Sequence, residues 1–203
     1  MPMPVSSSLC DGDLIIAVIG AIGSGKSSFV NRACGNSELA VGHNSDLSCT
    51  TRIENVQLPL DDVLITVIDT PGFGGSRNQS DVLSSIATYL VDNFGNGCTL
   101  SGIIYLHPIS DRGASIPRRN FNMLRKLCGI ASLEKVLIAT TRWSEVSFAD
   151  GEAYELELMS SDLLFKPASD KGAILKRYHD TTESAHDVLR VMIKGHPQPL
   201  SAQ

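Results

Sequence analysis

Short runs of apolar, β-branched residues recur along this chain, and between them apolar positions return at helical spacing. The runs Leu14 to Ile19, Ile53 to Leu58, Val63 to Ile68, Gly102 to Leu106, Lys135 to Ala139 and Ala173 to Lys176 predict strands. The intervening stretches Lys26 to Cys34, Asp81 to Phe94, Pro117 to Leu127, Gly151 to Leu164 and Thr182 to Ile193 predict helices. Pro117 suits a first helical position, where the missing N–H would have had no partner anyway, and Asn93 with Gly95 suits a helix end. Only the second and third strands adjoin, through the hairpin-like link Pro59 to Asp62. The others are separated by helices, as crossovers between parallel strands require. The pattern therefore predicts an α/β fold of three layers: a mostly parallel six-stranded sheet with one antiparallel edge strand and helices on both faces. The domain is expected over residues 13–194, with tails at 1–12 and 195–203. Nothing after Ile193 reads as a finished element, so the chain is open to being part of something longer.

Composition adds exclusions. A chain of 203 residues with 42% hydrophobic and 19% charged residues suits one self-sufficient core. Its net charge of −5 lacks the basic excess that nucleic acid or an anionic membrane would call for. The five cysteines, at 10, 34, 49, 98 and 128, form no C-x-x-C pair, which argues against a zinc site or disulfide framework and for reduced thiols in the cytoplasm. The longest apolar run, Leu14 to Ala21, is too short to span a bilayer, and neither a secretion signal nor a lipidation motif is evident.

The candidate chemistry sits at strand ends. Gly20-Ala-Ile-Gly-Ser-Gly25-Lys26-Ser27 is a complete G-x-x-x-x-G-K-[ST], placed after a predicted strand and opening a predicted helix. Its glycines let successive N–H groups turn inward on phosphate oxygens. Ile22, Gly23, Ser24, Gly25, Lys26, Ser27 and Ser28 are the expected nucleotide contacts. Lys26 would reach the β- and γ-phosphates, and Ser27 would bind Mg²⁺. Asp69-Thr70-Pro71-Gly72 closes the third strand. Asp69 is expected to hold Mg²⁺ through water, and the Gly72 N–H to touch the γ-phosphate, whose loss would release Phe73 to Ser76. Between these boxes Ser48-Cys49-Thr50-Thr51 offers a threonine hydroxyl to Mg²⁺, from Thr50 or from Thr51.

With these boxes in place, the chain resembles the septin-related branch of GTPases that includes the AIG/GIMAP immunity-associated proteins and the chloroplast import receptors. The match runs over Leu14 to Met192 and is strongest at the P-loop and Asp69-Thr-Pro-Gly-Phe73. The segments Ser101 to Arg112 and Asn120 to Gly129 look nearest to a fungal-type set of these G domains. The resemblance implies a Mg²⁺-dependent GTP-binding and GTP-hydrolysing switch that forms nucleotide-dependent homodimers, and it favours Thr50 in the first switch. Phe73 stands where Ras-like enzymes carry, soon after Gly72, the glutamine that orients water, which predicts slow intrinsic hydrolysis. Some GIMAP-like relatives donate an arginine in trans from the loop after the fourth strand. Arg112 stands there; the alternatives for it are a surface pair with Asp111, or the same role for Arg118 or Arg119. His107 is read either as a phosphate or partner contact or as a structural histidine.

The base end departs from the family pattern. In place of [NT]-K-x-D the chain has Thr141-Arg142-Trp143-Ser144-Glu145. Aligned on the GIMAP-like T-R-K-E-D, Arg142 matches, Trp143 takes the place of the lysine stem over the base, and Glu145 takes that of the carboxylate. Otherwise Trp143 is a core residue and Glu145 a solvated charge. His179 is expected to back the base. Without a base-reading carboxylate, ATP and ADP become possible ligands beside GTP and GDP. The competing functions are thus a GTPase switch, a broad-specificity NTPase, and a slowly hydrolysing oligomerisation scaffold; Asp69-Thr-Pro-Gly argues against a small-molecule kinase.

Overall fold

The structure, a computed structural model, describes residues 14–35, 53–73, 79–94, 100–112 and 130–194. The described strands are β1 (Leu14–Gly20), β2 (Glu54–Leu60), β3 (Val63–Asp69), β4 (Gly102–Pro108), β5 (Val136–Thr141) and β6 (Ile174–Arg177). The described helices are α1 (Lys26–Cys34), α2 (Gln79–Phe94), α3 (Phe148–Ser160), α4 (Lys166–Ser169) and α5 (Thr182–Lys194), with short 3-10 turns at Ile130–Lys135 and Trp143–Glu145.

The strands form one sheet in the order β2-β3-β1-β4-β5-β6. Every neighbour pair is parallel except β2 with β3, which run antiparallel with Glu54 opposite Asp69. The expected α/β architecture is thus the observed one. Asp61 and Asp62 make the β2–β3 turn with φ of 48° and 64°, the twist that a two-residue hairpin prefers. Pro59 is tolerated within β2 because that strand is an edge and need not donate on its outer side.

β1 is buried along its whole length, which is why it reads as an unbroken apolar run and not as an alternating one. Its two faces feed two cores. Ile16 and Val18 pack with Phe29 and Val30 of α1 and with Val188 and Leu189 of α5. Ala17 and Ile19 pack on the other side with Phe73, Ile86 of α2, Tyr105, and Leu158 of α3. Because the sheet order runs outward from β1 in both directions, the segments leaving β1, β3 and β4 converge at one sheet end, the switch point where such folds place their ligands.

Some boundaries differ from expectation. α3 begins at Phe148, before Gly151, because Ser147 caps it: the Asp150 N–H donates to the Ser147 hydroxyl at 3.1 Å. The helix stops at Ser160, since Ser161 is extended, and Leu164 lies in a separate turn that buries it against the core. β5 continues to Thr141, beyond Ala139. The expected helix Pro117 to Leu127 and both tails lie outside the described residues.

Candidate functional site

At the end of β1 the chain enters the glycine-rich turn, and Gly25 takes a left-handed φ of 95° that only glycine adopts without strain. α1 then begins at Lys26 with no side-chain cap and no acidic residue in its first turn. Its first N–H groups therefore remain available to an anion, with the helix dipole behind them. The turn is stitched to the segment leaving β3. The Ile22 N–H donates to the Phe73 carbonyl at 3.0 Å, and the Phe73 N–H donates to the Gly20 carbonyl at 3.3 Å. At Gly72 the approach is closer still, because a β-carbon there would lie 2.8 Å from Ile22 Cα and 2.9 Å from Ile22 N. Gly72→Ala must push two backbones apart, so a loss of about 1–3 kcal/mol is expected. Chemical denaturation of parent and variant checks this.

Lys26, Ser27 and Asp69 come together beneath the turn. Lys26 is only 6% exposed; its ammonium donates to the Ala21 carbonyl at 2.9 Å. Burial pulls its pKa down to about 8, against the opposing charge of Asp69. The Ser27 hydroxyl donates to Asp69 Oδ2 at 2.6 Å. Asp69 is buried too, and its Oδ1 has no hydrogen-bond partner among the described residues. Burial raises the Asp69 carboxyl pKa, while the Ser27 hydrogen bond and the Lys26 charge oppose the rise. Beside it, the Thr70 hydroxyl donates to the Val18 carbonyl at 2.8 Å and fixes the strand exit. The expected metal ligand Thr50, its alternative Thr51, and residues 74–76 lie outside the described residues.

At the other end of the turn, β5 supplies the neighbours. The Thr141 hydroxyl donates to the Ser24 carbonyl at 3.1 Å. Arg142, left-handed at φ 60°, donates from Nη2 to the Gly23 carbonyl and from Nη1 to Glu145 Oε1 at 2.8 Å. Glu145 Oε2 accepts from the Ser110 hydroxyl at 2.8 Å. Arg142, and not Trp143, is thus the side chain of this segment that reaches over the glycine-rich turn. The physical reason is the sharp turn at Arg142, which throws the next residue back on the sheet. The Trp143 N–H donates to Thr140, and its indole packs against the α2/α3-side core, where Arg177 lies 4.5 Å over the ring. Arg177 is itself clamped by Glu155 at 2.6 and 2.9 Å. His179 is exposed, with its ring 6.1 Å from that of Trp143.

Arg112 does lie on the loop after β4, half exposed, but its ion pair is with Asp150 of α3 at 3.7 Å. The carbonyl of Asp111 accepts from the Tyr154 hydroxyl at 2.7 Å. Arg118 and Arg119 lie outside the described residues. Ser110 is the participant that the sequence did not single out; only its contact with Glu145, 35 residues away, marks it.

His107 belongs to the core, as its structural reading expected. It is fully buried among the rings of Tyr105, Tyr154 and Phe165, and neither ring nitrogen has a hydrogen-bond partner among the described residues. Burial lowers its pKa from 6.5 to about 4. The unfolded chain therefore binds this proton more readily, so the contribution to stability is complete above pH 6.5 and declines as the pH falls through that range towards 4. At pH 5 the loss from this group is about 2 kcal/mol. Urea titrations at pH 7.5 and 5 should show that loss in the parent, with this component of the pH slope absent in His107→Leu.

Residues 15–101 match the family model described as "50S ribosome-binding GTPase". The curated Cell division control protein 11 of Saccharomyces cerevisiae is 30% identical over 86 residues, an alignment covering 37% of this chain and 21% of that protein. The chain thus spans about a fifth of the length of that relative. Toc33 from Arabidopsis thaliana, solved in complex with Mg²⁺ and GMPPNP, superposes with a TM-score of 0.70 at 16% identity, covering 90% of this chain and 85% of that one. A dimerization-deficient mutant of Toc33 gives 0.65 at 18% identity, covering 84% and 72%. A further structure, described as showing that dimerization is important for the GTPase activity of the chloroplast translocon components atToc33 and psToc159, gives 0.68 at 16%, covering 93% and 85%. The chain has the fold of a P-loop GTPase G domain, with its phosphate boxes on the elements that fold requires. The resemblance drawn from its sequence boxes agrees with these likenesses, to a cell division control protein over 86 residues and to Toc33 in fold. No helix among the described residues is long and apolar enough to cross a membrane.

Proposed function

We propose that this chain binds GTP and GDP with Mg²⁺ at the P-loop and hydrolyses GTP as a switch activated by dimerisation. The observation that carries the reading is the set Lys26, Ser27 and Asp69, buried at Lys26 and Asp69 and half-buried at Ser27, with one Asp69 oxygen left without a partner among the described residues. A buried carboxylate beside a half-buried hydroxyl suits a hard divalent cation, and Mg²⁺ characteristically takes few protein oxygens, completing its shell with water and phosphate. Ser27 and Asp69 would hold the ion, with Thr50 as the expected third ligand. Bound there, Mg²⁺ would neutralise charge on the phosphates. Lys26 and the N–H groups of residues 22–28 would bind and orient the phosphate chain, and Arg142 and Thr141 would brace the turn from the base side. Phe73 is buried and stacked 6.3 Å from Tyr105, so it orients no water, and slow hydrolysis by the isolated subunit follows.

Dimerisation is supported by the Toc33-like fold and by Arg112 on the loop after β4. The second reading, an NTPase that accepts ATP as readily as GTP, is favoured by Glu145, whose two oxygens are already engaged by Arg142 and Ser110. Dissociation constants for GDP and ADP, measured with Mg²⁺, separate the two. The guanine reading expects GDP to bind at least about tenfold tighter; equal values would overturn it. Specific activity should rise with protein concentration, and a flat profile would defeat activation by dimerisation.

A further inference from the structure

We infer that Glu145 is a positioning residue that ties the phosphate loop to the β4 loop through Arg142 and Ser110, and that it does not read the base. The inference rests on the P-loop nucleotide site proposed above. The contacts run in an unbroken series: Gly23 carbonyl, Arg142 guanidinium, Glu145 carboxylate, Ser110 hydroxyl. The 3-10 turn makes the series possible. The Glu145 N–H donates to the Arg142 carbonyl at 3.0 Å, which brings the carboxylate back beside the guanidinium three residues earlier.

The guanidinium is planar, and its two amino nitrogens are divided between Gly23 and Glu145, so a shift of the carboxylate must turn the group that braces the phosphate loop. On the other side, Ser110 sits between two backbone tethers of the β4 loop. The Ile109 N–H donates to the Thr141 carbonyl at 2.9 Å, and the Asp111 N–H donates to the Pro108 carbonyl at 3.1 Å. Arg112 follows directly. Each carboxylate oxygen already accepts from one donor, so a base would meet only the remaining lone pairs, between the Arg142 guanidinium and the Ser110 hydroxyl.

Glutamine and alanine at this position separate positioning from base reading. The amide of Glu145→Gln can still accept from Arg142 with its oxygen, and its NH₂ can donate to the Ser110 hydroxyl, so both tethers survive. The same NH₂ would repel the two N–H donors of guanine. Glu145→Ala removes everything.

Hydrogen exchange on the nucleotide-free chain should show faster exchange at Ile109, at Asp111 and at Ser24, whose N–H donates to the Ala21 carbonyl at 3.2 Å, in Glu145→Ala and near-parental rates in Glu145→Gln. Ser110→Ala should loosen Ile109 and Asp111 alone. In binding, Glu145→Ala should weaken GDP and ADP by the same factor, about tenfold, while Glu145→Gln stays within about threefold of the parent. Unchanged exchange in Glu145→Ala would overturn the inference, as would a Glu145→Gln protein that loses GDP yet keeps ADP. Failure of the parent to bind either nucleotide would count against the nucleotide site instead, and the exchange arm would still decide the role of Glu145.

Discussion

Lys26→Ala is expected to weaken binding of GDP and GTP by about two to three orders of magnitude, because charge-assisted hydrogen bonds to phosphate in a dry site are lost together with the local positive charge. The same substitution should leave the nucleotide-free chain no less stable. The Lys26 pKa is about 8 when folded against 10.5 unfolded, so the unfolded chain holds the proton more tightly. Stability therefore rises as pH climbs from 8 to 10.5, and below 8 this buried ammonium costs about 3 kcal/mol at most. In Lys26→Met, which keeps the volume, that pH-dependent component should vanish. Bound phosphate reverses the bias by favouring the charged amine, so GDP binding at pH 8 should be accompanied by proton uptake, read by calorimetry in buffers of different ionisation enthalpy. Nucleotide affinity unchanged in Lys26→Ala would remove the phosphate site itself.

Arg112→Ala should reduce turnover at high protein concentration by about 10³-fold or more if the residue completes the partner's site, as an arginine finger does. Affinity for GDP should stay at the parental value, since no described contact links Arg112 to the phosphate loop. Fold stability should hardly change. The pair with Asp150 is half exposed and long, and such surface pairs are worth at most about 1 kcal/mol. Arg112→Lys, which keeps the charge but not the planar fork, should recover only part of the rate. Steady-state hydrolysis across a range of protein concentrations compares the parent with both variants; a parental rate in Arg112→Ala at every concentration would exclude it as the activating group.

Fold and phosphate site were legible for the same reason. β1 and β5 throughout, and β3 from Ile65 onward, are buried on both faces, so their sequences are apolar runs that no exposed helix or loop would tolerate. The proposed phosphate cradle is one contiguous turn whose backbone would do the binding, and its glycines, lysine and serine have fixed offsets. Asp69 could be placed because it ends a recognisable strand. Helix ends were less legible where a cap lay outside the periodic pattern, as at Ser147, whose hydroxyl moved the start of α3 forward.

The base side was not legible in the same way. The family resemblance aligned Trp143 with the position over the base and left a core role as the alternative, and nothing local in Thr141 to Glu145 reveals that Arg142 turns left-handed and reaches the Gly23 carbonyl. Nor does the sequence show that Glu145 meets Ser110, or that Arg112 leans on Asp150 and not on Asp111. By itself, then, the sequence determined the sheet and the glycine-rich turn with the lysine, serine and aspartate that gather at it, because those follow from hydrophobic period and backbone geometry over a few consecutive residues. The tertiary structure alone decided which side chain braces the loop and where each carboxylate goes, because those depend on contacts between strand ends far apart in the chain, which local pattern does not encode.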